Sequence, residues 1–454
     1  MFPKPNKILV VGGNAAGPAA AAKAKRTSPE SDVIMFEAGE FISTGTCELP
    51  YVLSNEIKDW KEIIFFDQHT FEKEKGVKVY LNHYVEKIDR TKRTITVLNK
   101  LSNHRYEEQY DKLILATGSI AKYIPSLPKN LQNVFTLKNV KDYLAIKNFI
   151  ENNHVRKILI IGGGYIGLEA SEAFHKLGFD VTILEKESLP MPSSDIEISH
   201  LIKEILEKNK INFLGDAHDV KYKISDGKLK AITYKGWEFD FDLILIAIGF
   251  GPNNFLAVSS SLQVGKYGGI KVDQKLKTTD FNIYAAGDCI EIKNKITNKD
   301  DYIPLATIAY NSGHIAGENA AGGNAYIKPV IKNAAVKVFD KYLAYVGINS
   351  VEAKENKFKF ESISATANNL VHVMPDSQKV FGKIIYEKYT QKILGAFFLG
   401  GKEVSGYADL ISSFINNNIK VSELSNISFN YTPPLSPFIN LMTILGKKLN
   451  KDSL

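Results

Sequence analysis

The chain has 454 residues, 44% of them hydrophobic and 24% charged, and carries a formal net charge of +7. That length is too great for one core and suits about three domains of ~150 residues. Its lysines are interleaved with acids and form no basic stripe with aromatics, which argues against nucleic acid, and no apolar run approaches the ~18 residues of a membrane span.

The N-terminus runs into an apolar strand at 8–11 with no room for a cleavable signal peptide, so the cytoplasm is the expected compartment. Next come the loop Gly12-Gly13-Asn14-Ala15-Ala16-Gly17, an Ala-rich helix at 18–26, and a strand at 32–36 that ends at Glu37. A looser stretch holding Cys47 reaches to about residue 75. Short strands are predicted at 77–80, 85–89 and 93–98, and a buried strand at 113–115 ends in the turn Ala116-Thr117-Gly118. The pattern then repeats: strand 157–161, loop Gly162-Gly163-Gly164-Tyr165-Ile166-Gly167, helix 168–177, strand 180–184 ending at Glu185, and a closing strand that ends at Gly249. Two copies of one β-loop-α-β unit read as an internal duplication. A further strand at 283–286 leads to Gly287 and Asp288, with a helix expected to start there. From about residue 328 the glycine loops cease; alternating stretches at 383–386 and 393–399 and a helix at 404–416 predict an α+β domain. The predicted class is α/β, with two Rossmann-like dinucleotide-binding domains and a C-terminal α+β domain.

The second loop is a full Gly-x-Gly-x-x-Gly between strand and helix, and Glu185 lies 18 residues beyond Gly167, near the offset of about 20 expected for a ribose-binding acid. Gly162 permits the tight turn, Gly164 lets a pyrophosphate approach, and Gly167 lets helix and strand pack. Glu185 favours NADH, while the adjacent Lys186 leaves NADPH open. The first loop has Asn14 at the middle position but keeps Gly12 and Gly17, with Glu37 placed 20 residues on. Asn tolerates unusual backbone angles, so a dinucleotide is still expected there, with Asp288 receiving a ribityl hydroxyl.

These motifs, in this order, resemble the FAD-dependent pyridine nucleotide-disulfide oxidoreductase family across essentially the whole chain. The resemblance implies a glutathione reductase-like fold: an FAD domain at 1–122 and 251–327, an NAD(P)H domain at 123–250, and a dimerisation domain at 328–454 that makes a homodimer. Cys47 and Cys289 are too far apart for a Cys-x-x-x-x-Cys pair. Thr46-Cys47-Glu48-Leu49-Pro50-Tyr51 is similar to the Cys-x-Leu-Pro-Tyr of the single-cysteine coenzyme A-disulfide reductases. Ala15 stands where related peroxidases and oxidases carry histidine. Tyr431 opens a Tyr-x-Pro-Pro-x-Ser-Pro segment whose tyrosine, the resemblance implies, reaches the partner subunit's active site. A second family tyrosine soon after the histidine matching His372 is replaced here by Val373 and Met374, and Gly251 replaces a common arginine.

Pro50 suits a first helical turn, so Cys47 is expected at a helix N-terminus whose dipole favours the thiolate. The catalytic candidates are Cys47 and Tyr431. The cofactor-binding candidates are the two loops with Glu37, Glu185, Ala116 to Gly118, Gly249, Gly287 and Asp288, with Tyr165 and Glu169 flanking the nicotinamide. No metal site is expected. FAD, NADH and coenzyme A are the expected ligands, with Lys23, Lys25 and Arg26 as candidates for coenzyme A phosphates and a small-molecule disulfide or thiol as substrate. Cys289 reads as packing and His372 as a surface residue. An NADH oxidase or peroxidase, a persulfide or polysulfide reductase, and a thiol-independent ferredoxin-reductase-like carrier remain alternatives.

Overall fold

Continuous apolar strands must be covered on both faces, which a parallel sheet flanked by helices achieves. A computed structural model describes residues 6–451, and it contains two such five-stranded sheets. The first has the order Ile283–Ala285, Lys112–Leu115, Lys7–Val11, Asp32–Phe36, Lys78–Tyr80, all parallel. The second runs Val134–Phe135, Leu243–Ile246, Lys157–Ile161, Asp180–Leu184, Asn212–Leu214, again all parallel. In each sheet the glycine loop leaves the central strand, so the duplication read from the sequence is a duplication of topology. An antiparallel ribbon, Ser119–Ala121 against Phe250–Pro252, links the two units and pairs Ile120 with Gly251.

Both loop helices start earlier than the apolar pattern suggests, at Ala16–Thr27 and Tyr165–Lys176. The helix expected directly after Asp288 is not there. Residues Ile290–Lys293 form a strand, in keeping with the period-2 spacing of Ile290 and Ile292. The next helix is Ala306–Ala320. It packs against Ala16–Thr27 at close range, because a Cβ on Gly313 or Gly317 would fall 2.3 or 2.1 Å from a carbonyl oxygen of that helix.

The third unit is an antiparallel sheet ordered Asn333–Val338, Lys341–Gly347, Ile393–Gly400, Lys379–Glu387, Phe360–Asn368. Helix Val404–Asn416 packs on it through Val404, Ala408 and Ile411. One of the hydrophobic cores draws on all three units. Leu49, Val52 and Leu53, from the short helix after Cys47, are buried with Leu168 and Phe174 of the second unit and Val336 and Phe397 of the third. That packing holds Cys47 where the units meet. No helix among the described residues is long and apolar enough to cross a membrane.

Candidate active site

One cavity of about 2160 Å³ runs from the first glycine loop past Cys47 to the second. A drug-sized ligand site is ~300–1,000 Å³, so this space suits two dinucleotides. Its lining includes Gly12, Gly13, Asn14, Ala15, Ala16, Glu37, Ala116, Thr117, Gly118, Gly287 and Asp288 from the first unit. From the second come Gly162, Gly164, Tyr165, Ile166, Glu169, Glu185 and Gly249. Gly17 and Gly167 lie beneath the floor: a Cβ there would stand 1.7 Å from Gly12 O and 2.0 Å from Gly162 O.

The loop chemistry fits anionic dinucleotides. Helices Ala16–Thr27 and Tyr165–Lys176 have no side-chain N-cap and no acid in the first turn, whereas Gln68–Lys75 and Val140–Asn152 are capped by Asp67 and Asn139. Uncapped amides at the positive end of a helix are what a pyrophosphate occupies. The two acids are fixed by the loops themselves. Glu37 accepts from the Gly13 and Gly39 amides, both at 2.6 Å; Glu185 accepts from Gly163 N at 2.6 Å and Glu187 N at 3.1 Å. A Cβ on Gly164 would meet nothing within 4 Å, so the loop is open toward the cavity. Asn14 has no positive φ. Its backbone therefore needs no special tolerance, and its side chain instead accepts from Thr44 N and Thr44 Oγ1, each at 3.0 Å.

Cys47 lies in a 3₁₀ turn, Thr46–Glu48, that runs into the helix Leu49–Leu53 with Pro50 in its first turn. The helix start is as expected, but the expected depression of the thiol pKa is not. Although the thiol opens to the cavity, surrounding protein pushes its pKa up, Glu48, Glu169 and Asp288 add to the rise, and Lys138 opposes it. A five-residue helix offers only a weak dipole, and burial together with the three carboxylates outweighs it. Asp288 accepts from Ser119 Oγ at 2.9 Å and lies 3.9 Å from Lys138 Nζ, which sits 4.4 Å over the Phe250 ring. The Tyr302 hydroxyl is buried beside Ser119 and Asp288, and burial pushes its pKa up.

On the nicotinamide side, Tyr165 stacks on Tyr345 at 5.6 Å, and Tyr345 on Phe397 at 6.0 Å. Glu169 accepts from the Tyr51 hydroxyl at 3.2 Å. Burial pushes the Glu169 pKa up to about 7, aided by Glu172 and opposed by Tyr51 and Lys337.

Other candidates lie elsewhere. Tyr431 is exposed, edge-on to Phe438 at 5.4 Å, and outside its own chain's cavity. Lys23 pairs with Glu318 at 2.8 Å and Lys25 donates to Ser31 O at 2.8 Å, and neither lines the cavity; nor does Arg26. Cys289 is fully buried, its thiol directed at the Ala286 and Leu115 carbonyls. Lys138 and Tyr302 were missed because nothing in their local sequence marks them. Tyr51 is marked in the sequence only by the Cys-x-Leu-Pro-Tyr motif and its i+4 spacing from Cys47.

Residues 6–313 match the family described as pyridine nucleotide-disulphide oxidoreductase, and residues 333–442 match its dimerisation domain. The coenzyme A disulfide reductase of Staphylococcus aureus (strain bovine RF122 / ET3-1) is 31% identical over 444 residues, covering 97% of this chain and 99% of the relative. The NAD(P)H sulfur oxidoreductase (CoA-dependent) of Pyrococcus abyssi (strain GE5 / Orsay) is 30% identical, covering 97% of this chain and 98% of the relative. The crystal structure of reduced Bacillus anthracis CoADR-RHD has a TM-score of 0.94 to this chain at 31% identity, covering 98% of this chain and 80% of that one.

Proposed function

This chain belongs to the pyridine nucleotide-disulfide oxidoreductase family, whose members bind FAD and NAD(P)H, and on that premise we propose that it reduces a small disulfide of the coenzyme A class through Cys47. One observation carries the reading: Cys47 lines the same continuous cavity as both glycine loops. We assign FAD to residues 1–122 and 251–327, NAD(P)H to 123–250, and dimerisation to 328–454. The Ala16–Thr27 amides, Glu37 and Asp288 hold the first dinucleotide. The Tyr165–Lys176 amides and Glu185 hold the second, and Tyr165 and Glu169 flank its reactive end. Glu185 favours the unphosphorylated ribose of NADH.

The chain's own chemistry is thiol–disulfide exchange. The Cys47 thiolate attacks one sulfur of RS–SR; a Cys47–SR bond forms, the S–S bond breaks, and RS⁻ leaves and takes up a proton. When bound, FAD supplies the electron pair from NADH that cleaves the Cys47–SR bond to a second thiolate. The apolar patch of Tyr431, Leu435, Phe438 and Ile439 is exposed on the third unit and suits a second copy of the chain, so the enzyme is a homodimer in which Tyr431 protonates the leaving thiolate across the interface. Its compartment is the cytoplasm.

Intact-mass measurement without reductant tests this. A coenzyme A-mass adduct that disappears in Cys47→Ser is expected, together with a loss of NADH-dependent disulfide turnover of ~10³-fold or more. Unchanged turnover in Cys47→Ser would overturn the thiol route. The sulfur-reducing relative at 30% identity favours one second reading, polysulfide or persulfide reduction at the same thiol, and extra sulfur on Cys47 in the same experiment would mark it.

A further inference from the structure

In both glycine-loop units the chain turns back, after the terminal acid, along the loop it has left. Ser43 at φ +49° donates its amide to Gly13 O, and Met191 at φ +51° donates to Gly163 O, each at 2.8 Å. Four residues farther on the two copies diverge: the first presents Cys47 there and the second Asp195. The duplication thus sets a carboxylate where its twin sets the thiol. The stretch that leads to Asp195 is a wall of the cavity at the second loop, since 185–189 and 192–197 all line it. Asp195 occupies the N-cap of helix Ile196–Lys208 yet makes no side-chain cap. Its carboxylate is committed to the third unit instead. Oδ1 accepts from Ser350 N at 2.8 Å, and Oδ2 accepts from Ser350 Oγ and from Lys383 Nζ, both at 2.7 Å. Lys383 Nζ also donates to both Glu197 oxygens at 2.8 Å, so its three hydrogens are matched by three carboxylate oxygens. Beside this pair Asn349 Nδ2 donates to Ser193 O at 2.9 Å. The Lys383 and Asp195 side chains are 7% and 2% exposed, a depth at which charges persist only in pairs. The short helix that carries Ser350 is held in turn, because Lys332 Nζ joins its Glu352 at 2.7 Å to Asp301 of the first unit at 3.1 Å.

We propose that Asp195 and Lys383 form a fixed clasp through which the third unit sets the position of the 186–195 wall, and hence the affinity of the second glycine loop for NAD(P)H. The inference rests on reading that loop as the NAD(P)H site. A continuous hydrogen-bonded path supports it. The glycine loop holds Met191 through Gly163 O, Met191 O accepts from Ser194 N at 2.8 Å, and the neighbouring Ser193 and Asp195 are fastened to Asn349, Ser350 and Lys383. Opening the clasp frees the far end of the wall, and nucleotide binding then carries the entropy of ordering it. Lys383 has its three donors spent on carboxylates, so it is a positioning residue that acts through Asp195 and the wall. The wall joins the ribose acid Glu185 to the clasp, so its release is felt in binding and not in hydride transfer.

The test is anaerobic stopped-flow reduction of the FAD-loaded enzyme by NADH, read at the flavin absorbance with no disulfide present. Lys383→Met is expected to raise the half-saturating NADH concentration about tenfold and to change the limiting rate by about twofold at most, the signature of lost uniform binding. Because Lys383→Met strands a buried carboxylate, the double variant Asp195→Asn/Lys383→Met removes both charges of the pair and leaves only Glu197, whose side chain is 45% exposed. It should show the same split. A role confined to fold stability would lower FAD content and melting temperature but leave half-saturation untouched in molecules that keep FAD; that result in either variant would overturn the proposal. Glu185→Ala separates the two levels of the argument. If it moves half-saturation and the clasp variants do not, the clasp alone fails; if none moves it, the NAD(P)H assignment fails and takes the clasp with it. The wild-type holoenzyme gives a reading that needs no variant. NAD⁺ at a concentration that slows hydrogen exchange at 162–167 should also slow it at 349–353, where the Ser350 amide meets Asp195. Unchanged exchange at 349–353 would overturn the proposal.

Discussion

In the first unit the Gly12 amide donates to Phe36 O at 2.8 Å, and in the second the Gly162 amide donates to Leu184 O at 2.8 Å. Ser43 N closes on Gly13 O and Met191 N on Gly163 O, again both at 2.8 Å. With the paired acids Glu37 and Glu185, the two halves repeat each other bond for bond until the middle loop position. There the second unit has Gly164 at φ −83°, with open space where a Cβ would stand. The first has Asn14, also without positive φ, tied to Thr44 three residues before Cys47. The middle residue is thus chosen for what it projects and not for backbone freedom. One loop keeps its floor clear; the other fastens the nucleotide loop to the segment that carries the thiol.

Substituting the third glycines separates the halves most sharply. Gly17→Val and Gly167→Val each drive a side chain into a carbonyl oxygen at 1.7 and 2.0 Å respectively, a clash of several kcal/mol by the usual scale of core overpacking. Gly17→Val should purify without flavin absorbance. Gly167→Val should stay yellow yet need ~100-fold more NADH to be reduced, by stopped-flow titration. If both lost FAD, the units would not be separable. A milder break is Glu185→Ala, which strands the Gly163 and Glu187 amides at ~1–3 kcal/mol. The KM for NADH should rise ~10–100-fold with FAD content unchanged. The smallest effect belongs to Asn14→Gly, which converts the first loop to the form of the second. Losing the two Thr44 contacts costs ~1 kcal/mol at an exposed site. FAD should remain bound while hydrogen exchange at residues 43–48 quickens; unchanged exchange there would remove Asn14 as the fastener.

The antiparallel third unit was readable from two alternating strands and the 404–416 helix, but its other three strands, Lys341–Gly347 among them, were not. Asn333–Val338 and Phe360–Asn368 mix small, polar and apolar residues, and only pairing with the central strands decides their state. The strand at Ile290–Lys293 was misread for a similar reason, since Gly287 and Asp288 suit either a helix cap or a turn.

Sequence by itself determined what is local: the two loops, their terminal acids, the helices that follow them, and a cysteine just before a proline-started helix. Each depends on residues within about one supersecondary unit, so periodicity and spacing expose it. Tertiary structure alone decided the electrostatics of Cys47. Of its charged neighbours only Glu48 adjoins it in sequence; Lys138, Glu169 and Asp288 come from three separate stretches, and Coulomb forces depend on distance through space and on burial, neither of which is written in chain order.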